Sequence, residues 1–173
     1  MNIPGLSYIP NFIMKEEEKN IVSWLDSSEC KWSNELSRRT QQYGYLYSYC
    51  YKNISDIIQP LSGPIEEIAD RLLKESIFNE YTQKQGISPH IDSKSFGPII
   101  ASISMIFPYN MIFHNINDTN DDRVILLLEE CSLLRIEGEA RYLWKHGILS
   151  TVNYTDKKDN KTKKSENYRT ITN

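Results

Sequence analysis

The 173-residue chain contains only three histidines, His90, His114 and His146, so chemistry built on imidazole has few positions to draw on. His90 and Asp92 stand two apart in His-Ile-Asp, a spacing that puts an imidazole and a carboxylate on one face of an extended segment. Joined by a distant second imidazole, they would form the two-histidine, one-carboxylate set that leaves coordination positions open, as non-haem Fe(II) oxygenases require. His146, in Trp144-Lys-His-Gly-Ile148, is the natural third member, although its residue type suits a core histidine beside Trp144 equally well. His114 follows Phe113 at the start of a polar loop and is expected to face solvent. A His-x-Asp triplet on its own is common by chance, so its weight depends on what surrounds it.

The elements that must hold these residues can be read from the hydrophobic pattern. Leu6 to Phe12 predicts a short extended piece. Met14 to Ser27 predicts a helix with Ile21, Val22, Trp24 and Leu25 on its apolar side and Glu16, Glu17 and Glu18 near its positive N-terminal end. From Arg38 to Tyr51 the alternation of Tyr43, Tyr45, Tyr47 and Tyr49 predicts a strand with one aromatic face. Pro64 opens a second helix with Ile65, Ile68, Ala69, Leu72 and Leu73 on one side. From Ile77 the texture changes to short apolar runs between polar turns: Ile77 to Tyr81, Ile99 to Phe107, Met111 to Phe113, Val124 to Leu128, Cys131 to Ile136 and Tyr168 to Thr172. The order predicts an α+β domain whose β half closes as a barrel or jelly roll. Asn115 to Asp122 is expected to be loop, and the lysine-rich Asp156 to Glu166 a mobile, solvated hairpin.

Length and composition allow one domain, residues 1–173, with 39% hydrophobic and 25% charged residues, which excludes a disordered or membrane-spanning chain. Lys and Arg number 20 against 23 Asp and Glu, a net charge of −3, so the strongly basic balance of a protein that wraps duplex nucleic acid nonspecifically is absent. Three cysteines, Cys30, Cys50 and Cys131, at unpatterned spacing suit reduced thiols better than a disulfide framework. Met1 to Pro10 has no basic start followed by an apolar run, so no secretory signal is expected. The expectation is an intracellular monomer, cytoplasmic or nuclear, with no membrane partner.

The context of His90 carries a family resemblance. Phe78-Asn-Glu-Tyr81 is followed by Gln85-Gly-Ile-Ser-Pro-His90-Ile-Asp92. Phe96-Gly97 with Ala101-Ser-Ile-Ser104, Met111-x-Phe113, Ser132-Leu-Leu134 and Gly138-Glu-Ala-Arg-Tyr-x-Trp-Lys-His-Gly-Ile148 come next, in that order. Together with Arg38-Arg-Thr-Gln-Gln-Tyr-Gly-Tyr45 and Tyr47, this series resembles the AlkB-type 2-oxoglutarate and Fe(II)-dependent dioxygenases from about residue 6 to residue 148. The resemblance implies a double-stranded β-helix of the jelly-roll kind over 77–173. Residues 1–76 would then supply helices packed outside it and a hairpin on the substrate side.

By the same resemblance His90, Asp92 and His146 would be the catalytic iron ligands, while Asn79 and Tyr81 would hydrogen-bond 2-oxoglutarate. Three protein ligands leave two positions for the bidentate keto acid and one for dioxygen. The distal carboxylate of the keto acid, in a dry site, calls for an arginine's planar fork. The family's last strand usually reads Arg-x-Ser-x-Thr-Phe-Arg, whereas this chain has Arg169-Thr-Ile-Thr-Asn173. Aligning Arg169 with the first arginine keeps the anchor and is preferred. Aligning Thr170 and Thr172 with the Ser and Thr puts Tyr168 there instead, and a one-residue slip exchanges the two faces.

The resemblance implies a nucleic-acid substrate, alkylated DNA or RNA presented single-stranded or as a flipped base, and such a base is held between aromatic faces. Tyr45 and Tyr47 are the candidates, with Arg38, Arg39 and the lysines of 157–164 for phosphate contacts. Lys94 stands where some members of the family carry an acidic group near the base. The leading expectation is oxidative demethylation of alkylated nucleobases. Hydroxylation of a tRNA wobble-uridine side chain is the alternative enzyme, and a catalytically silent nucleic-acid-binding relative is the alternative of another class.

Overall fold

The computed structural model describes residues 3–27, 30–36, 38–43, 45–48, 50, 51, 53–57, 60, 62–72, 76–82, 85–119, 123–148, 153–155, 162–164 and 167–172. Within these, the side chains of 45, 46, 53, 55–57, 72, 76–82 and 153 onward lie outside the description. The N-terminal part runs β1 (Leu6–Ile9), α1 (Lys15–Leu25), β2 (Arg39–Tyr43), β3 (Tyr45–Ser48), β4 (Asn53–Ile57) and α2 (Pro64–Leu72). The centre follows with β5 (Ser76–Thr82), β6 (Ile87–His90), β7 (Ile100–Met105), β8 (Tyr109–Asn115), β9 (Arg123–Leu128) and β10 (Leu133–Ile136). A short α3 (Gly138–Tyr142) leads into β11 (Trp144–Ile148), and β12 (Asn153–Thr155), β13 (Thr162–Lys164) and β14 (Asn167–Thr172) complete the order.

A six-stranded sheet, in the order β1-β10-β7-β14-β5-β2, faces a four-stranded sheet, β6-β11-β8-β9, and every pairing is antiparallel. This is the double-stranded β-helix, and its non-sequential strand order is what brings β6 and β11, far apart in sequence, side by side. The core has two compartments. Between the sheets lie Ile100, Tyr109, Met111, Phe113, Leu128, Leu134 and Ile148. On the outer face of the larger sheet, Ala101, Ile103 and Met105 of β7 pack with Ile21 and Leu25 of α1 and Ile65 and Ile68 of α2. Strand β7 therefore feeds both compartments, which is why Ile100–Met105 is buried along its whole length.

Helix α1 is tied down by polar contacts as well as by its apolar stripe. Glu17 accepts the Met14 N–H at 2.7 Å at the helix start, and the buried Glu18 accepts the N–H of Ile106 at 2.8 Å while pairing with Lys15 at 2.9 Å. Arg71 of α2 donates to Glu17 and to the Phe12 carbonyl, at 2.8 and 2.6 Å. Among the described residues no helix is long and apolar enough to cross a membrane, and Cys30, Cys50 and Cys131 are free thiols.

Two sequence expectations change. The run from Arg38 to Tyr51 is not one strand with one aromatic face: β2 joins the large sheet beside β5, and β3 leaves to pair with β4 in a separate hairpin. Tyr43 accordingly packs on Trp24 at 5.6 Å between ring centroids, and Tyr47 packs on Phe96 at 4.5 Å. A period-2 stripe keeps one environment only while the strand stays in one sheet. The N-terminal part also contributes β1 and β2 to the edges of the large sheet as well as packing helices outside it. The lysine-rich stretch, expected as a hairpin, is bracketed by the antiparallel β12–β13 pair, with Asn153 opposite Lys164; Lys157, Lys158 and Lys161 lie outside the described residues.

Candidate metal centre

Strands β6 and β11 pair so that His146 stands directly opposite His90, with the register shifting between His146 and Ile148. Asp92, two residues beyond His90, returns its carboxylate to the same spot. His90 Nε2 is 3.4 Å from Asp92 Oδ1, His146 Nε2 is 3.4 Å from Asp92 Oδ2, and the imidazole centroids are 4.7 Å apart. One potential ligand atom from each of the three residues lies within 4.8 Å of the others, a group that could hold a metal ion. Two imidazoles and a carboxylate suit an iron site with open positions.

The surroundings tune each ligand differently. The Nδ1–H of His90 donates to the Ser88 carbonyl at 2.9 Å; a carbonyl only accepts, so the proton sits on Nδ1 and Nε2 is left to coordinate. Burial works to lower the His90 pKa, but the hydrogen bonds to Asp92 and the Ser88 carbonyl, with the Asp92 charge, outweigh it and hold it above the usual imidazole range. His146 is deeper, and burial pushes it down to about 4 against the pull of Asp92. Burial would raise the Asp92 pKa, yet the His90 hydrogen bond and the nearby charges of His146, His90 and Arg141 keep it below the ordinary carboxylate value.

These directions predict the pH dependence of metal uptake by the metal-free protein. His146 is already neutral at mild pH, whereas His90 must give up a proton that it holds more firmly than a free imidazole does. Metal affinity is therefore expected to fall by about tenfold per pH unit below the His90 pKa, with one proton released per metal bound. Mn(II) titrations from pH 8 to pH 5.5 would show this slope; an affinity flat through that window would contradict it.

The other sequence-predicted residues lie on several elements. Asn79 and Tyr81 lie on β5, opposite Thr170 and Tyr168 of β14 respectively. Residues directly opposite share a sheet face. Thr170 is also opposite Ser104, whose hydroxyl donates to Tyr109 Oη of the smaller sheet at 3.2 Å. Arg169 is opposite Met105, which packs with the helices. The side chains of Tyr168, Arg169, Thr170 and Thr172 lie outside the description.

Arg38 is close enough for its charge to act on His90, while the guanidinium of Arg39 lies 4.7 Å over the Trp32 ring. Tyr47 is buried, with Phe96 against it; the side chain of Tyr45 lies outside the description. Lys94 is exposed in the turn after Asp92. His114 does not simply face solvent: β8 continues to Asn115, and His114 is half-buried between Lys145 and Arg123.

Two residues of the matched motifs make contacts that the sequence alone does not show. Phe96, from the loop that carries Asp92, packs on Tyr47 of the β3–β4 hairpin. Arg141 lay within the matched motif, but its partners are 44 to 49 residues away.

A jelly roll with two histidines on adjacent strands of its smaller sheet and an aspartate just past the end of one of them defines a class, the 2-oxoglutarate-dependent iron oxygenases. The chain belongs to the 2OG-Fe(II) oxygenase superfamily, whose family model matches residues 34–170. Within it the kinship is AlkB-type. The chain is 31% identical over 166 residues to the tRNA (carboxymethyluridine(34)-5-O)-methyltransferase alkbh8 of Xenopus tropicalis, covering 84% of this chain and 25% of that protein. It is 29% identical over 180 residues to the Alkylated DNA repair protein ALKBH8 homolog of Arabidopsis thaliana, covering 86% and 51%. The chain therefore spans between a quarter and about half the length of these relatives. The solved structure of OsALKBH1 superposes with a TM-score of 0.70 at 13% identity, covering 99% of this chain and 97% of that one, a likeness of fold. The superfamily works with Fe(II), 2-oxoglutarate and dioxygen, and the donor set of His90, Asp92 and His146 fits that iron.

Proposed function

We propose that this chain is a dioxygenase that oxidatively demethylates alkylated nucleobases in DNA or RNA, with His90, Asp92 and His146 as its iron ligands. The observation that carries the reading is the convergence of these three side chains, each with a ligand atom within 4.8 Å of the others, in a member of this superfamily. When bound, Fe(II) with 2-oxoglutarate and dioxygen supplies oxidation of a C–H bond coupled to decarboxylation of the keto acid to succinate. A methyl group hydroxylated on a base nitrogen leaves as formaldehyde.

The chain's own residues bind, orient and exclude water. Asp92 contributes the negative charge that offsets a dication, and His146 is kept as the neutral imidazole by its burial. Asn79 and Tyr81 are proposed to hydrogen-bond 2-oxoglutarate, with Thr170 on the neighbouring strand in the same phase. Tyr45 is proposed to stack on the target base and Tyr47 to brace that wall through Phe96. Arg38, whose charge reaches the site, is the better placed of the two arginines to meet a phosphate; Arg39 would contact the backbone only by leaving Trp32. The relative named as an alkylated DNA repair protein supports this substrate class.

The relative named as a tRNA (carboxymethyluridine(34)-5-O)-methyltransferase favours a second reading, hydroxylation of a tRNA wobble-uridine side chain. Formaldehyde and succinate release measured with methylated single-stranded DNA, methylated RNA and a tRNA substrate separates the two: demethylation gives both products, hydroxylation gives succinate with a stable hydroxylated nucleoside. Tyr45→Ala is expected to raise the oligonucleotide KM about 5- to 100-fold, as loss of one stacked base would. Succinate release that no nucleic acid stimulates would overturn both readings.

A further inference from the structure

Arg141 is 2% exposed, among the most buried large side chains in the protein. Among the described residues its hydrogen bonds go to main-chain carbonyls and to no carboxylate. One Nη donates to Asp92 O at 2.9 Å, the other to Ser93 O at 2.7 Å, and Nε to Gly97 O at 3.4 Å. The Asp92 carboxylate is near enough to feel the Arg141 charge, but no carboxylate takes its hydrogen bonds, and a buried guanidinium is costly unless its donors are used. The carbonyls it meets belong to the segment just past the end of β6, where the chain has left the sheet and its backbone acceptors need other donors. Arg141 itself stands on α3, five positions before His146.

We propose that Arg141 is a positioning residue of the metal centre: from the helix that leads into His146, its guanidinium fixes the main chain of Asp92 to Gly97 and so sets the carboxylate arm of the triad relative to the imidazole arm. The same segment carries Phe96, whose ring lies 4.5 Å from that of Tyr47, so the clamp also sets the wall of the substrate-side hairpin. The rigid fork of arginine suits this task because it spans acceptors on several residues at once, which a lysine ammonium on a flexible stem does not.

The inference rests on Asp92 being a metal ligand, and the experiment keeps the two claims apart. Mn(II) affinity and the Co(II) ligand-field spectrum would be measured for wild type, Arg141→Met, Arg141→Lys and Asp92→Ala, with unfolding curves for each metal-free protein. Arg141→Met is expected to bind Mn(II) roughly 10- to 100-fold more weakly, the range seen when the groups behind metal ligands are removed. Its Co(II) spectrum should shift even at saturating metal, and Arg141→Lys should recover part of the loss. A folded Arg141→Met that binds Mn(II) as wild type does, while Asp92→Ala is impaired, overturns the positioning role alone. Wild-type affinity in Asp92→Ala overturns the ligand assignment and the inference with it. If neither Arg141 variant folds, Arg141 is a residue of general stability and the proposal fails.

Discussion

Asp92→Ala and His90→Ala are each expected to lower Fe(II)-dependent succinate release by more than about 100-fold, since removing even the partners behind metal ligands costs 10- to 100-fold. Asp92 is the sensitive member. Its two oxygens each lie 3.4 Å from an imidazole nitrogen, so one truncation removes both the anion that offsets the metal's charge and the group that holds the imidazoles in register. His90→Ala removes the more accessible imidazole, whose side chain is 36% exposed against 11% for His146, and so perturbs packing less than His146→Ala would. His114→Gln is the matched control: His114 is no part of the converging group and sits at the opposite parity of the smaller sheet, paired with Lys145 across β8–β11 where His146 pairs with Phe113. It should retain wild-type metal affinity. Equal losses in all three variants would mean that the assay reports folding rather than coordination.

Gly147→Ala is expected to damage the same centre without touching a ligand. A Cβ at this position would lie 2.8 Å from Ile87 O, 2.8 Å from Pro89 N and 3.0 Å from Pro89 Cα. All three atoms are backbone of β6, so no side chain can swing aside and the strands must part. Overpacking of this kind costs about 1–3 kcal/mol, and a domain of this size should lose several degrees in Tm. Because β6 carries His90 and β11 carries His146, the separation falls on the metal site, and Mn(II) affinity should drop together with stability. Gly97→Ala is the comparison, since nothing lies within 4 Å of its added Cβ; thermal unfolding and Mn(II) titration of the two should diverge. A Gly147→Ala protein with unchanged Tm and affinity would contradict the close approach of β6 to β11.

How much of this was legible in the sequence depends on the range of each interaction. His90 and Asp92 were readable because their relation is local, two residues on an extended segment. His146 was reachable only through a motif, since 56 positions separate it from His90 and strand pairing alone brings them together. Strand parity was the hardest feature. The residues of β14 allow two alignments and no pattern within 167–172 chooses between them, because its register against β7, with Thr170 beside Ser104 and Arg169 beside Met105, exists only in the folded sheet. The tyrosine run misled for a related reason: its period continues while its strand changes sheets after Tyr43. Arg141 carried no readable signal, because a charged residue in a five-residue helix looks solvated until the carbonyls it serves are folded against it.

The most direct test of the account is anomalous diffraction at the iron edge from crystals of this chain loaded anaerobically with Fe(II). A single strong peak within bonding distance of His90 Nε2, a carboxylate oxygen of Asp92 and His146 Nε2 is the predicted result. Iron that bound elsewhere, or that bound the two histidines with Asp92 turned away, would contradict it.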